Sequence, residues 1–146
     1  MKKIFFYLVF SLCALTNNVY AQNGTYKCNS QGYSKADKSE NKSYSNKLII
    51  TIDISDILGG YIAINNMSQD LNFRYDIISK DQTVADKNAR TITNTFKAKM
   101  SQFNQTIGDE VLIGIVQNMD NNNLDFWVYT SKFNAYNQYF NLLKFE

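Results

Sequence analysis

The chain has 146 residues, 15 basic and 13 acidic side chains, a net charge of +2, no proline and no histidine. The missing histidine excludes Ser-His and Cys-His catalysis and most zinc sites. The near-balanced charge excludes a general nucleic-acid binder, which needs a basic surface.

The chain opens as an address. Met1-Lys2-Lys3 is a short basic start, Ile4 to Leu15 an apolar run, and Val19-Tyr20-Ala21 a small-x-small cleavage site. Together they predict a secretory signal peptide over 1–21, and the apolar run is too short for a good transmembrane helix. Cys13 follows Leu12, where a lipobox wants a small residue, so lipidation is the lesser alternative. Cleavage leaves a mature chain from Gln22 with 13 basic and 13 acidic side chains and Cys28 as its one cysteine. Such a chain is exported, to the periplasm or beyond the cell. Cys28 is then a small apolar strand residue, or else an intermolecular bridge or reactive thiol. No cofactor is expected. Residues 22–146 form one domain with apolar material for a single core.

Gly24 to Cys28 reads as a short first strand near residue 25. The polar stretch 29–46, rich in Ser, Lys and Asn, reads as a long loop, mobile or functional, carrying Tyr33 and Tyr44. The pattern is clearest next. Over 47–55, Leu48, Ile50, Ile52 and Ile54 share one face, and Ile49, Thr51 and Asp53 the other, which is the period of a half-buried strand. Gly59-Gly60 supplies a turn. Strands over 61–65 and 71–79 follow, the latter with Leu71, Phe73, Tyr75 and Ile77 inward. This is an antiparallel meander with one apolar face.

Ser79 to Ala89 reads as a second polar connection. Over 90–102, Ile92, Asn94, Phe96, Ala98 and Met100 alternate with threonines and lysines, which predicts a strand. Asn104 to Asp109 is a turn around Gly108. The strand over 110–118 is apolar on both faces. Over 124–130, Leu124, Phe126 and Val128 take one face, Trp127 and Tyr129 the other. Asn134 to Asn137 connects to a last strand over 138–145. The expected fold is all-β: about eight strands in a small up-and-down barrel or strongly curled meander, with a two-sheet sandwich as the alternative.

Gly24-Thr25-Tyr26 resembles the Gly-x-Trp start of lipocalin-like and avidin-like barrels, with Tyr in place of Trp. The wider order is the Tyr-Lys strand, the polar loop, Lys47 to Asp53, Leu71 to Ile78, Phe126-Trp127-Val128-Tyr129 and a Tyr/Phe-rich end. It resembles small secreted proteins of unknown function from Bacteroidetes-type bacteria. That resemblance implies no activity and maps no functional residue.

The acidic residues suggest two chemistries. Asp120 to Asp125 looks like a calcium loop, but lacks its sixth-position glycine and distal glutamate, and reads as a hairpin turn. Asp53 with Asp56, Asp109 with Glu110, and Asp76 are candidates for paired-carboxylate catalysis, yet sit where carboxylates ordinarily solubilise. No catalytic residue and no metal ligand is assigned. An outer-membrane barrel would put Arg74, Asp76, Lys97, Lys99 and Asp53 against lipid, so no stable membrane insertion is expected. The aromatic residues remain. Tyr61, Trp127 and Tyr129 lie opposite the aliphatic rows and so face outward. An outward aromatic cluster, or the 29–46 loop with Tyr33 and Tyr44, would bind a protein or glycan. The alternative is a lipocalin-like carrier of a small apolar ligand inside the barrel.

Overall fold

The computed structural model describes residues 22–54, 60–69, 71–102 and 105–145. The predicted leader 1–21, Asp56 and Gly59 lie outside the described residues. The fold is all-β. Its strands are β1 (Gly24–Cys28), β2 (Ser30–Lys35), β3 (Asn41–Tyr44), β4 (Leu48–Asp53), β5 (Tyr61–Asn66), β6 (Leu71–Asp86), β7 (Thr91–Gln102), β8 (Gln105–Asn118), β9 (Leu124–Thr130) and β10 (Ala135–Lys144). One turn of 3-10 helix, Ser131–Phe133, joins β9 to β10.

Eight strands close a barrel in the order β1-β4-β5-β6-β7-β8-β9-β10, and β10 returns to β1. Closure, not a two-sheet sandwich, is how this chain removes its edges. The aliphatic rows fill the interior. Ile50, Ile52, Ile62, Ile64, Phe96, Ile113, Ile115, Phe126 and Val128 are all buried in one cluster. Asn94 is buried among them, and the hydroxyl of Thr83 donates to its side-chain oxygen at 2.6 Å.

The stretch 29–46 is not a loop but the hairpin of β2 and β3. Its cause is backbone pairing. Tyr26 lies opposite Lys144 in β1–β10, and the same register runs on through Ser30 opposite Phe140 to Lys35 opposite Ala135. β2 is thus β1 prolonged along β10, and β3 pairs with its other side. Polar side chains suffice because the strand hydrogen bonds come from the main chain. At the changeover, Asn141 takes a left-handed φ of 53°, and its N–H donates to Asp125 Oδ1 at 2.8 Å.

Other polar stretches behave the same way. Ser79 to Asp86, expected as a connection, continues β6 and pairs with β7 as far as Asp86 opposite Thr91. It runs past the end of β5, so residues 80–90 are exposed and no apolar pattern marks them. The expected turn at Asn104 to Asp109 lies largely within β8, where Gly108 has a φ of +74° beside a shift in register. The expected connection Asn134 to Asn137 is mostly β10.

Candidate functional site: a groove on the outer wall

Alternation sets which rings leave the core. Phe126 and Val128 point inward, so Trp127 and Tyr129 stand on the outer wall, both half-buried. In register, Tyr136 of β10 faces Tyr129 and Gln138 faces Trp127. Residues opposite one another share a face and touch. Tyr136 is therefore gripped by both rings, at 4.8 Å from Tyr129 and 5.8 Å from Trp127 between centroids. The Tyr129 hydroxyl donates to Asn134 Oδ1 at 3.0 Å, tying the row to the turn before β10.

The indole has a seat made for it. Gly114 of β8 lies opposite Trp127, and a Cβ there would sit 2.0 Å from the ring. Absence of that carbon lets the indole lie flat on the backbone. One wall of the groove is the β2–β3 hairpin. Its turn is held by the Lys35 N–H to Glu40 O and the Ala36 N–H to Asn134 O, both 2.9 Å. Asp37 Oδ1 accepts from the Ser39 N–H and hydroxyl, which hold its carboxyl below the ordinary range. The ion pair of Glu40 with Lys42 lowers the one and raises the other. Between hairpin and outer wall lies a groove of about 470 Å³, bordered by Trp127, Tyr136 and Gln138 on one side and Ser34, Lys35 and Asn41 on the other.

The expected aromatic group is divided. Trp127 and Tyr129 adjoin. Tyr61 does not join them: β5 is separated from β9 by three strands in either direction around the barrel. It packs instead under the Arg74 guanidinium, 4.2 Å from its ring centre, and Arg74 also pairs with Asp76 at 2.7 Å. Tyr33 lies opposite Asn137, and Tyr44 opposite Gln31, so both belong to the face of the hairpin turned away from Trp127. Tyr136 was missed because Asn134 to Asn137 reads as a connection, and Gln138 because it lies in the expected last strand without an aromatic ring. The signal was present as Tyr136, Gln138 and Phe140 at period two.

No family model, curated protein or solved structure matches the chain. Its candidate chemistry therefore rests on its own geometry. Asp76 is engaged by Arg74, and Asp109 pairs with Lys132 at 3.2 Å, while Glu110 is exposed and opposite Lys99. Asp120 to Asp125 is a hairpin turn, in which Asn118 Oδ1 accepts the Asp120 N–H and Asp120 pairs with Arg90. Cys28 is buried, and its thiol, which donates to Ser30 O at 3.2 Å, is pushed up by burial. A buried thiol of this kind is a strand residue rather than a nucleophile.

Proposed function

We propose that the protein is an exported binding protein, not a catalyst, and that the outer groove holds a glycan. One observation carries the proposal: Trp127 and the β2–β3 hairpin, two separate features of the sequence, border the same groove. Its size suits a small ligand. The Trp127 and Tyr136 rings offer apolar surface to the C–H face of a sugar. Ser34, Asn41 and Gln138 offer uncharged donors and acceptors to its hydroxyls. A protein partner would want about 800 Å² of matching surface, far more than this recess provides. Action in water is supported by the exposed Arg74, Asp76, Lys97 and Lys99 on the outer wall, around an apolar interior. Lipid would strip those charges of water.

The test uses Trp127, the single tryptophan of the chain. Its emission is followed while a panel of oligosaccharides is titrated. At least one is expected to give a saturable shift. Asn41→Ala and Gln138→Ala should each weaken that sugar about fivefold, as the loss of one neutral hydrogen bond of ~1 kcal/mol implies, with the urea midpoint unchanged. A panel that leaves the emission unmoved overturns the glycan.

A further inference from the structure

The barrel interior is not filled to both ends. Phe126 is buried between two tyrosines: it stacks on Tyr139 at 5.1 Å and meets the edge of Tyr75 at 6.5 Å. These rings are a floor. Above them, at the end where β9 passes to β10, lies a cavity of about 250 Å³. Its lining includes Phe73, Tyr75, Met100, Phe133 and Tyr139. Lys132 and Asp109 stand at the rim, paired with each other.

Tyr75 and Tyr139 are only 3% and 4% exposed, and the hydrogen bonds among the described residues include none from either hydroxyl. By contrast, the buried Tyr26 hydroxyl donates to Gln22 O at 2.8 Å. Neither oxygen is among the buried side-chain atoms that lack a partner, so each opens onto the cavity that its ring lines. A hydroxyl that faces a cavity takes its partner from what fills it, water or ligand. Here two line the same small cavity. We propose that this open end of the barrel is a second binding site, for a small uncharged amphiphile whose carbonyl-type oxygen accepts from the Tyr75 and Tyr139 hydroxyls.

Apart from the Lys132–Asp109 pair the rest of the lining is uncharged, and Gln31, Thr130 and Asn137 add neutral polar groups to it. Phe73, Met100 and Phe133 give an apolar wall, and methionine adapts to varied shapes. Phe133, 60% exposed, carries the Lys132 ammonium 5.9 Å from its ring centre. The volume lies below the range of about 300 Å³ and upward usual for drug-sized ligands, so the ligand is small. It is uncharged because burial opposes charge here: both phenols are held above their ordinary ionisation range by desolvation. A carboxylate on that floor would meet the same opposition, and the Lys132 cation is at the rim and already engaged by Asp109.

The experiment compares three probes of similar shape: acetophenone, ethylbenzene and benzoate. Each is titrated into the protein carrying 13C-methyl methionine. Acetophenone is expected to shift the Met100 methyl resonance. The exposed Met67 and Met119 and the Trp127 indole should stay put, which separates this site from the outer groove. Ethylbenzene lacks the acceptor and should bind at least about fivefold more weakly, and benzoate more weakly still. Tyr75→Phe and Tyr139→Phe keep the ring and remove the donor. Each should weaken acetophenone about fivefold and leave ethylbenzene unchanged. The proposal is overturned if no probe moves Met100, which would mean that water alone fills the cavity. It is equally overturned if ethylbenzene matches acetophenone, if benzoate binds best, or if both Phe variants bind acetophenone like the parent.

Discussion

At the scale of single residues, the outer groove depends on an absent carbon. Gly114 sits under Trp127 with no room for a Cβ. Gly114→Ala should therefore push the indole off the wall. The expected cost is about 1–3 kcal/mol, as for other overpacked sites, read as a lowered urea midpoint. Emission should also move to longer wavelength as the ring gains water. An alanine variant with unchanged emission would mean that the indole is not seated there. This pairing was invisible in the sequence. Gly114 and Trp127 sit on consecutive strands of one hairpin, and only the β8–β9 register sets one opposite the other. The outward direction of Trp127 was legible, because period two along Leu124, Phe126 and Val128 leaves it no other side.

Elements differ in what holds them. β4, β8 and β9 bury one face and are paired on both edges, so their hydrogen bonds break only when the barrel opens. Among the described residues the outer part of β6, Ser79–Asp86, pairs with β7 alone, because the β5–β6 pairing ends with Tyr61 opposite Asp76. Its side chains are almost all exposed. Local opening there costs little. Amide exchange is expected to show it: residues 80–86 should exchange orders of magnitude faster than Ile50, Ile113 and Val128, whose protection should approach the global stability. Equal protection in the two regions would mean that this arm folds as part of the barrel. The same contrast explains which strands the sequence announced. Strands that bury a face, such as Leu48–Asp53, carry alternation. β2, β3 and the arm of β6 are joined mainly by main-chain bonds, and any polar sequence can make those.

At the scale of the whole molecule, the buried tyrosine pair makes stability sensitive to alkali. Burial holds Tyr75 and Tyr139 above the ordinary phenol value of 10.0, and for Tyr139 the neighbouring Tyr75 and Cys28 add to it. In the unfolded chain these phenols ionise near that value, while in the barrel they stay protonated. Above about pH 10 the unfolded state thus binds fewer protons, and stability falls as pH rises. The slope is about 1.4 kcal/mol per pH unit for each ring. The urea midpoint should begin to fall near pH 9, where the unfolded Cys28 thiol ionises at its ordinary value of 9.0, and fall more steeply above pH ~10, with Tyr75→Phe and Tyr139→Phe each flattening the steep part. A midpoint indifferent to pH over that range would contradict the burial of the phenols. What the sequence by itself determined is the all-β class, the inward rows and the outward direction of Trp127 and Tyr129. Those follow from two-residue periodicity, which is local. Tertiary structure alone decided that β10 closes on β1, that the polar stretch 29–46 is a hairpin beside Trp127, that Tyr61 stands apart, and that Tyr75 and Tyr139 meet around Phe126. Each of these rests on strand register between distant segments, and register is set by closure of the whole barrel rather than by any one strand.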